Sequence, residues 1–327
     1  MNRKRIVSGM RPTGDMHLGH VHGALENWKQ LTKEYECFYF IADWHALTSD
    51  YADTSGLRRY AHEIIIDWIA VGLDPNIATF FVQSQILEHA ELHLIFSMIT
   101  PLPWLERNPT YKEQLRELVQ KDVHTYGFLG YPVLQAADIL IYKAGGVPVG
   151  EDQAPHVELT REIARRFNHI YGDVFPVPDL LLAPTSKLLG LDRRKMSKSY
   201  GNAILLKDDA GTVSTKVSQM VTDPQRARKS DPGDPAVCNV FSFHEFYTES
   251  EVVRRIEADC RAAGIGCVEC KKLMAENLNR ALEPVRERRR ELEADPDTVR
   301  SIMADGTARA RAIARRTMEE VRERVKI

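Results

Sequence analysis

The sequence predicts an α/β protein built on a doubly wound parallel sheet, followed by an all-helical C-terminal domain. Three observations predict it. Short apolar or aromatic runs alternate with longer stretches of helical periodicity between residues 5 and 182. The run Cys37-Phe38-Tyr39-Phe40-Ile41-Ala42 shows no polar alternation, as a strand covered on both faces should. From about residue 202 the β-branched runs vanish, and Arg- and Glu-rich helical patterns continue to residue 327.

Ile6-Val7 opens the first strand, which ends at Ser8-Gly9. The loop that follows is punctuated by Gly9, Pro12 and Gly14. Leu18, Val21, Leu25, Trp28 and Leu31 then recur at helical spacing. Residues 37–42 form the second strand. A helix over 57–71 turns Ile64, Ile65, Trp68 and Val71 inward, with Gly72 at its C-terminal cap. Thr79-Phe80-Phe81-Val82 is the third strand. Helical patterns over 132–143 and 155–168 flank an extended Val147-Pro148-Val149-Gly150, and Val177-Pro178 leads into the apolar Leu180-Leu181-Leu182. Right-handed crossovers then give a parallel sheet whose ligand site lies beyond the C-terminal strand ends. The expected domains are a catalytic domain over 1–190, a linking loop over 191–202 and a helical domain over 203–327. The charged segment 286–293 reads as a solvated helix face with i,i+4 pairs.

Composition narrows the function classes. The 327 residues suit two domains. With 43% hydrophobic and 28% charged residues, the chain has the composition of a soluble globular protein. A net charge of −2 gives no global basic field, so a nucleic-acid partner would need a local patch. No apolar run reaches the ~18 residues that span a bilayer. Ser8, Gly9, Arg11 and Pro12 break up any signal-peptide core behind the basic start, so a cytoplasmic location is expected. Four of the five cysteines fall between Cys238 and Cys270, and in a reducing compartment such clustering points to a metal rather than disulfides.

Two segments carry the chemistry. Ser8 to His20 joins a strand to a helix N-terminus, where free N–H groups and the helix dipole favour phosphate. Gly14 and Gly19 admit close backbone approach. His17 and His20, three residues apart, can donate to phosphate oxygens as charge develops. Lys195-Met196-Ser197-Lys198-Ser199 is a loop with two lysines and two hydroxyls, again suited to phosphate. Taken singly, each segment could be an ordinary surface feature: two histidines near a cap, or a solvated basic loop.

His-x-Gly-His near the N-terminus and Lys-Met-Ser-Lys-Ser behind an intervening α/β region are together the two signatures of class I aminoacyl-tRNA synthetases. The strings Tyr131-Pro132-Val133-Leu134-Gln135-Ala136-Ala137-Asp138-Ile139-Leu140 and Val147 to Gln153, with His156, Glu158 to Arg161 and Arg165 to Asn168, resemble bacterial-type tryptophanyl-tRNA synthetases over nearly the whole chain. The resemblance implies a Rossmann-type catalytic domain that makes tryptophanyl-adenylate from L-tryptophan and ATP with Mg2+, then charges tRNA(Trp). It implies that Arg11, Pro12, Thr13, Gly19 and His20 hold ATP and that Gly150, Glu151 and Asp152 contact ribose and nucleotide. Lys195, Met196, Ser197, Lys198 and Ser199 close on the pyrophosphate, with His17, His20, Lys195 and Lys198 as the catalytic set. Asp138 accepts the indole N–H, and Tyr131, His45, Val147, Val149 and Gln153 surround the amino acid. A homodimer is implied, with no membrane partner. Gln135 stands where a Met is common, and its Gln-x-x-Asp spacing to Asp138 also occurs in tyrosyl-tRNA synthetases, the alternative reading.

Cys238, Cys260, Cys267 and Cys270 follow the pattern C-x21-C-x6-C-x2-C. Spacing alone leaves zinc, an iron–sulfur cluster and four unrelated core cysteines open. A subset of bacterial tryptophanyl-tRNA synthetases carries a cluster at nearly this spacing. The resemblance therefore implies a 4Fe–4S cluster, with Zn2+ as the alternative, bracing the helical domain that by resemblance reads the anticodon.

Overall fold

The computed structural model describes residues 3–117, 122–183 and 188–327, apart from the side chains of Gln114, Glu117 and Ser199. Of the expected site residues, Ser199 alone has a side chain outside that description. The chain forms two compact units: residues 1–14, 27–185 and 295–327, and residues 15–26 and 186–294. The block 203–327, expected as one helical domain, is thus divided. Its last helix, Pro296–Val325, belongs to the first unit.

The first unit is built on five parallel strands, β1 (Arg5–Met10), β2 (Glu36–Ile41), β3 (Thr79–Val82), β4 (Gly146–Val149) and β5 (Asp179–Leu182), in the order β3-β2-β1-β4-β5. Cys37 to Ile41 are all buried, which explains their unbroken apolar character. Trp28 stacks on Tyr39 at 4.2 Å and meets Trp68 edge-on at 5.2 Å, so aromatic contacts lock the flanking helices onto β2. The strand order reverses at β1, whose neighbours are β2 on one side and β4 on the other. In an open parallel sheet that switch point opens the crevice at the strand ends.

The helix Leu57–Ala70 ends as expected, with Gly72 at φ +98°. The helix expected over 132–143 runs over Tyr126–Leu140, capped by Thr125, whose hydroxyl accepts from the Phe128 N–H at 3.2 Å. Pro132 lies inside this helix and hid its first turns. Four helices were not legible: Asp43–Asp50, Glu88–Ile99, Leu102–Glu106 and Pro109–Glu117. The C-terminal helix Pro296–Val325 packs on β3, and a Cβ added at Gly306 would lie 1.8 Å from the Phe80 carbonyl oxygen.

The second unit contains the helices Ala210–Ser218, Asn239–Tyr247, Ser250–Arg261 and Cys267–Ala294 around Val213, Val217, Phe243, Ile256, Met274 and Leu278. Residues 15–26 join this unit through backbone bonds. The Leu18 N–H donates to the Ile204 carbonyl and the Leu206 N–H to the Met16 carbonyl, both at 3.0 Å. A π-turn, Val21–Leu25, interrupts the helical run after His20.

Candidate active site

In the first unit a cavity of about 330 Å³ opens at the C-terminal ends of β1 and β4. Its walls include all six residues expected around the amino acid: His45, Tyr131, Asp138, Val147, Val149 and Gln153. Arg11, Phe40 and Gln135 also line it. Gly9 keeps its floor open, because a Cβ there would lie 2.5 Å from the Phe40 ring.

Asp138 is 1% exposed and carries a dense set of donors. Its Oδ2 accepts from His45 Nε2 at 2.7 Å, and its Oδ1 accepts from His89 Nδ1 at 2.6 Å. Gln83 Nε2 donates to both oxygens, at 2.8 and 2.9 Å. Burial works against ionisation here, but the His45 and His89 hydrogen bonds outweigh it and hold the carboxyl down at about 2. The other ring nitrogen of His89 meets the Tyr142 hydroxyl at 2.7 Å. Sequence reasoning missed Gln83, His89 and Tyr142. The available signal was Gln83 itself, a polar residue immediately past the end of a buried parallel strand.

Of the residues of this unit expected at the nucleotide, Arg11 lines the cavity, and Gly150 to Asp152 lie in the chain between its lining residues Val149 and Gln153. Arg11 donates to the Ser49 hydroxyl at 3.2 Å, and a turn closes from the Thr13 N–H to the Arg11 carbonyl at 2.9 Å, around Pro12. After β4, Gly150 leads into the short turn Glu151–Gln153. A Cβ at Gly150 would lie 2.7 Å from Asp152 Oδ1, so glycine leaves room for that carboxylate. Thr110 reaches the same turn through the Asp152 carbonyl at 3.3 Å.

The two sequence signatures come together in the second unit. The His17 and His20 rings stack at 3.7 Å, and the His17 N–H donates to His20 Nδ1 at 3.2 Å. The Gly19 N–H points at Met196 Sδ, 3.4 Å away. A Cβ at Gly19 would lie 3.0 Å from His17 Nδ1 and 3.3 Å from Met196 Cβ, so glycine lets the lysine loop pack on the histidine turn. Burial, then the Lys198 charge, lowers His17 to about 4. Burial, then His17, Lys198 and Lys195, lowers His20 to about 3. Both rings are therefore neutral near pH 7, and each then has one N–H to donate. His17 Nδ1 is buried without a partner. Burial also lowers Lys198, opposed by Asp15. Asn202, 3% exposed, braces the loop. It accepts from the Ser197 N–H at 2.8 Å and donates to Asp192 at 2.7 Å and to the Lys195 carbonyl at 3.2 Å.

The four clustered cysteines also lie in this unit, as free thiols. Burial first, then the charges of Cys238, Cys260 and Cys267, pushes Cys270 up to about 12. Burial also raises Cys260, against the pull of Arg226. Arg226 Nη1 approaches Cys260 Sγ at 3.7 Å, while Arg226 Nε is buried without a partner. Among the described residues, no three His, Cys, Asp or Glu side chains converge closely enough to hold one metal ion.

Comparison with known proteins agrees with this geometry. Residues 1–283 match the family model of class I tRNA synthetases for W and Y. The tryptophan–tRNA ligase of Thermotoga maritima is 54% identical, over 97% of this chain and 98% of the relative. That of Aquifex aeolicus is 48% identical, over 98% of each. Among solved structures, Campylobacter jejuni tryptophanyl-tRNA synthetase complexed with ADP and tryptophan superposes with a TM-score of 0.91. It is 31% identical and covers 99% of this chain and 100% of that one. A tyrosyl-tRNA synthetase from Archaeoglobus fulgidus, at 21% identity and a TM-score of 0.66, shares the fold alone. The chain belongs to the class I tRNA synthetases for tryptophan and tyrosine and, within them, to the tryptophan–tRNA ligases.

Proposed function

We propose that this chain activates L-tryptophan with ATP and transfers it to tRNA(Trp). The observation that carries the reading is Asp138, an ionised carboxylate at the closed end of an aromatic- and valine-walled cavity. An indole N–H reaching it makes a charge-assisted bond that an apolar side chain cannot replace. The tryptophan carboxylate attacks the α-phosphorus of ATP in line. The bond to the bridging oxygen breaks, and pyrophosphate leaves. Lys195 and Lys198 carry the positive charge that meets the departing phosphates, while neutral His17 and His20 donate hydrogen bonds. Gly19 and Met196 hold histidine turn and lysine loop together, and Ser197 adds a donor. Arg11, Pro12, Thr13, Gly150, Glu151 and Asp152 seat the nucleotide. Mg2+ would come with ATP and would offset part of its phosphate charge. A ribose hydroxyl of the tRNA's terminal adenosine then attacks the adenylate carbonyl and expels AMP. Positioning and charge stabilisation suffice, and no protein nucleophile is needed. Amino-acid-dependent ATP–pyrophosphate exchange, run with each of the twenty amino acids, tests this. Tryptophan alone should drive exchange, and exchange driven by tyrosine would overturn the assignment.

Two further parts belong to the same reading. Leu87, Leu94, Met98 and Leu102 are 61%, 56%, 74% and 57% exposed, an apolar row suited to a second copy of the chain in a homodimer. Cys238, Cys260, Cys267 and Cys270 would hold a 4Fe–4S cluster. Thiols that sense one another without converging on a single point suit a cubane better than zinc, and the unpaired Arg226 Nε supplies a donor for its negative charge. The cluster's contribution is structural, and the helical residues around it would read the anticodon. Anaerobically prepared protein should contain about four irons and four sulfides per chain. One zinc and no iron would replace the cluster with the alternative metal.

A further inference from the structure

We infer that His156 is a positioning residue of the amino-acid cavity: it turns the Tyr131 hydroxyl proton away from the cavity, so that the phenolic oxygen meets the substrate's α-ammonium group as an acceptor. The inference rests on the reading of this cavity as the tryptophan site. His156 is fully buried and Tyr131 is 8% exposed, so their polar atoms must find partners within the protein. Tyr131 Oη lies 2.8 Å from His156 Nε2, and His156 Nδ1 lies 3.0 Å from Gln153 Oε1. Gln153 Nε2 in turn donates to Asp152 Oδ2 at 2.9 Å.

The direction of every bond in this chain is fixed from the Asp152 end. A carboxylate only accepts, so the amide nitrogen of Gln153 faces Asp152 and its carbonyl faces His156. A carbonyl also only accepts, so the proton of His156 sits on Nδ1. Burial keeps the imidazole neutral, held down at about 4, and a neutral ring has one donor and one acceptor. Nε2 is therefore the acceptor, and the Tyr131 O–H is its only donor along the chain. The remaining lone pairs of Tyr131 are left for the cavity, where an ammonium group brings donors and no acceptor. The same chain ties the turn expected to seat the nucleotide, at Asp152, to the amino-acid contact at Tyr131.

The test uses the full-length enzyme and two analogues, tryptamine, which keeps the amine, and indole-3-propionate, which lacks it. His156→Leu should raise KM for tryptophan by about tenfold, with kcat and the KM for ATP changed by less than about twofold. It should weaken tryptamine binding and leave indole-3-propionate binding at the wild-type level. His156→Gln offers an amide oxygen to Tyr131 and should restore most of the loss. In the Tyr131→Phe background, His156→Leu should add little, because it acts through the lost hydroxyl. Equal weakening of both analogues, or additive effects of the two substitutions, would overturn the inference by assigning His156 a packing role. If Tyr131→Phe alone leaves tryptamine binding unchanged, the ammonium contact and the role of His156 both fail. If the wild-type enzyme shows no tryptophan-dependent exchange, it is the functional reading that fails.

Discussion

At the scale of single residues, Asp138 shows how a sequence motif and its surroundings divide the labour. An isolated carboxylate among Ala136, Ala137, Ile139 and Leu140 was readable as a buried, partnered group. The partners were not readable, because Gln83 and His89 lie more than forty-five residues upstream and become neighbours only when β3 and the following helix fold against Tyr126–Leu140. Their presence sharpens the expected outcome of Asp138→Asn. The amide turns an N–H2 toward two donors, Gln83 and one of the two histidines, so the variant should lose thermal stability as well as tryptophan. Loss of a charge-assisted acceptor is worth on the order of 1.5–3 kcal/mol, or roughly ten- to a hundredfold in KM for tryptophan. Exchange kinetics and a thermal melt on the same preparation check both, and an unchanged KM would remove Asp138 from the pocket. Lys198→Ala should behave differently. A loop lysine that meets charge only as pyrophosphate departs acts in the transition state, so kcat for adenylate formation should fall while tryptophan affinity holds. A raised KM for tryptophan with kcat intact would make the loop a binding element.

At the scale of secondary-structure elements, β2 and β3 were legible because burial on both faces writes an unbroken apolar run, and helices were legible from their 3.6-residue periodicity, with Gly72 marking the end of Leu57–Ala70. Glu88–Ile99 was not, since Leu92, Leu94, Ile95, Phe96, Met98 and Ile99 spread apolar side chains around the helix and erase the period. The C-terminal helix Pro296–Val325 was legible as a helix but not in its destination. Gly306 is the residue that decides that destination. Within an open helix, Gly→Ala stabilises by about 1 kcal/mol. Here the new methyl would fall 1.8 Å from the backbone carbonyl of Phe80, which cannot rotate away as a side chain would. Gly306→Ala is therefore expected to destabilise, by about 1–3 kcal/mol or more, as overpacking does. Urea denaturation reads the sign directly: a midpoint raised by the substitution would show that the helix is free of β3.

At the scale of the whole molecule, histidines lowered by burial set an acid limit on stability. His17 and His20 lie in the turn proposed to meet phosphate, His156 lies behind the amino-acid cavity, and His244 lies in the helix Asn239–Tyr247. Burial is the leading cause in each, and it holds His17 at about 4, His20 at about 3, His156 at about 4 and His244 at about 4, against 6.5 for an ordinary histidine, and it lowers His93 as well. Between those values and pH 6.5 the unfolded chain binds at least four protons that the folded chain does not. Where the unfolded state binds more protons, stability rises with pH, so it is complete above about pH 7 and lost as pH falls. Each group contributes about 1.4 kcal/mol per pH unit, and four together about 5.5, a rate that exhausts an ordinary folding free energy within one to three units. Asp138, held at about 2, adds to the loss only below its ordinary value of 3.8. The urea midpoint should therefore be level between pH 8 and 7 and drop steeply between pH 6 and 5, before the carboxylates titrate. His156→Gln removes one of these groups and should flatten that drop by about a quarter. A midpoint that stays level down to pH 5 would mean that these imidazoles accept protons in the folded state, and the neutral donor roles of His17 and His20 at the departing phosphates would fall with it.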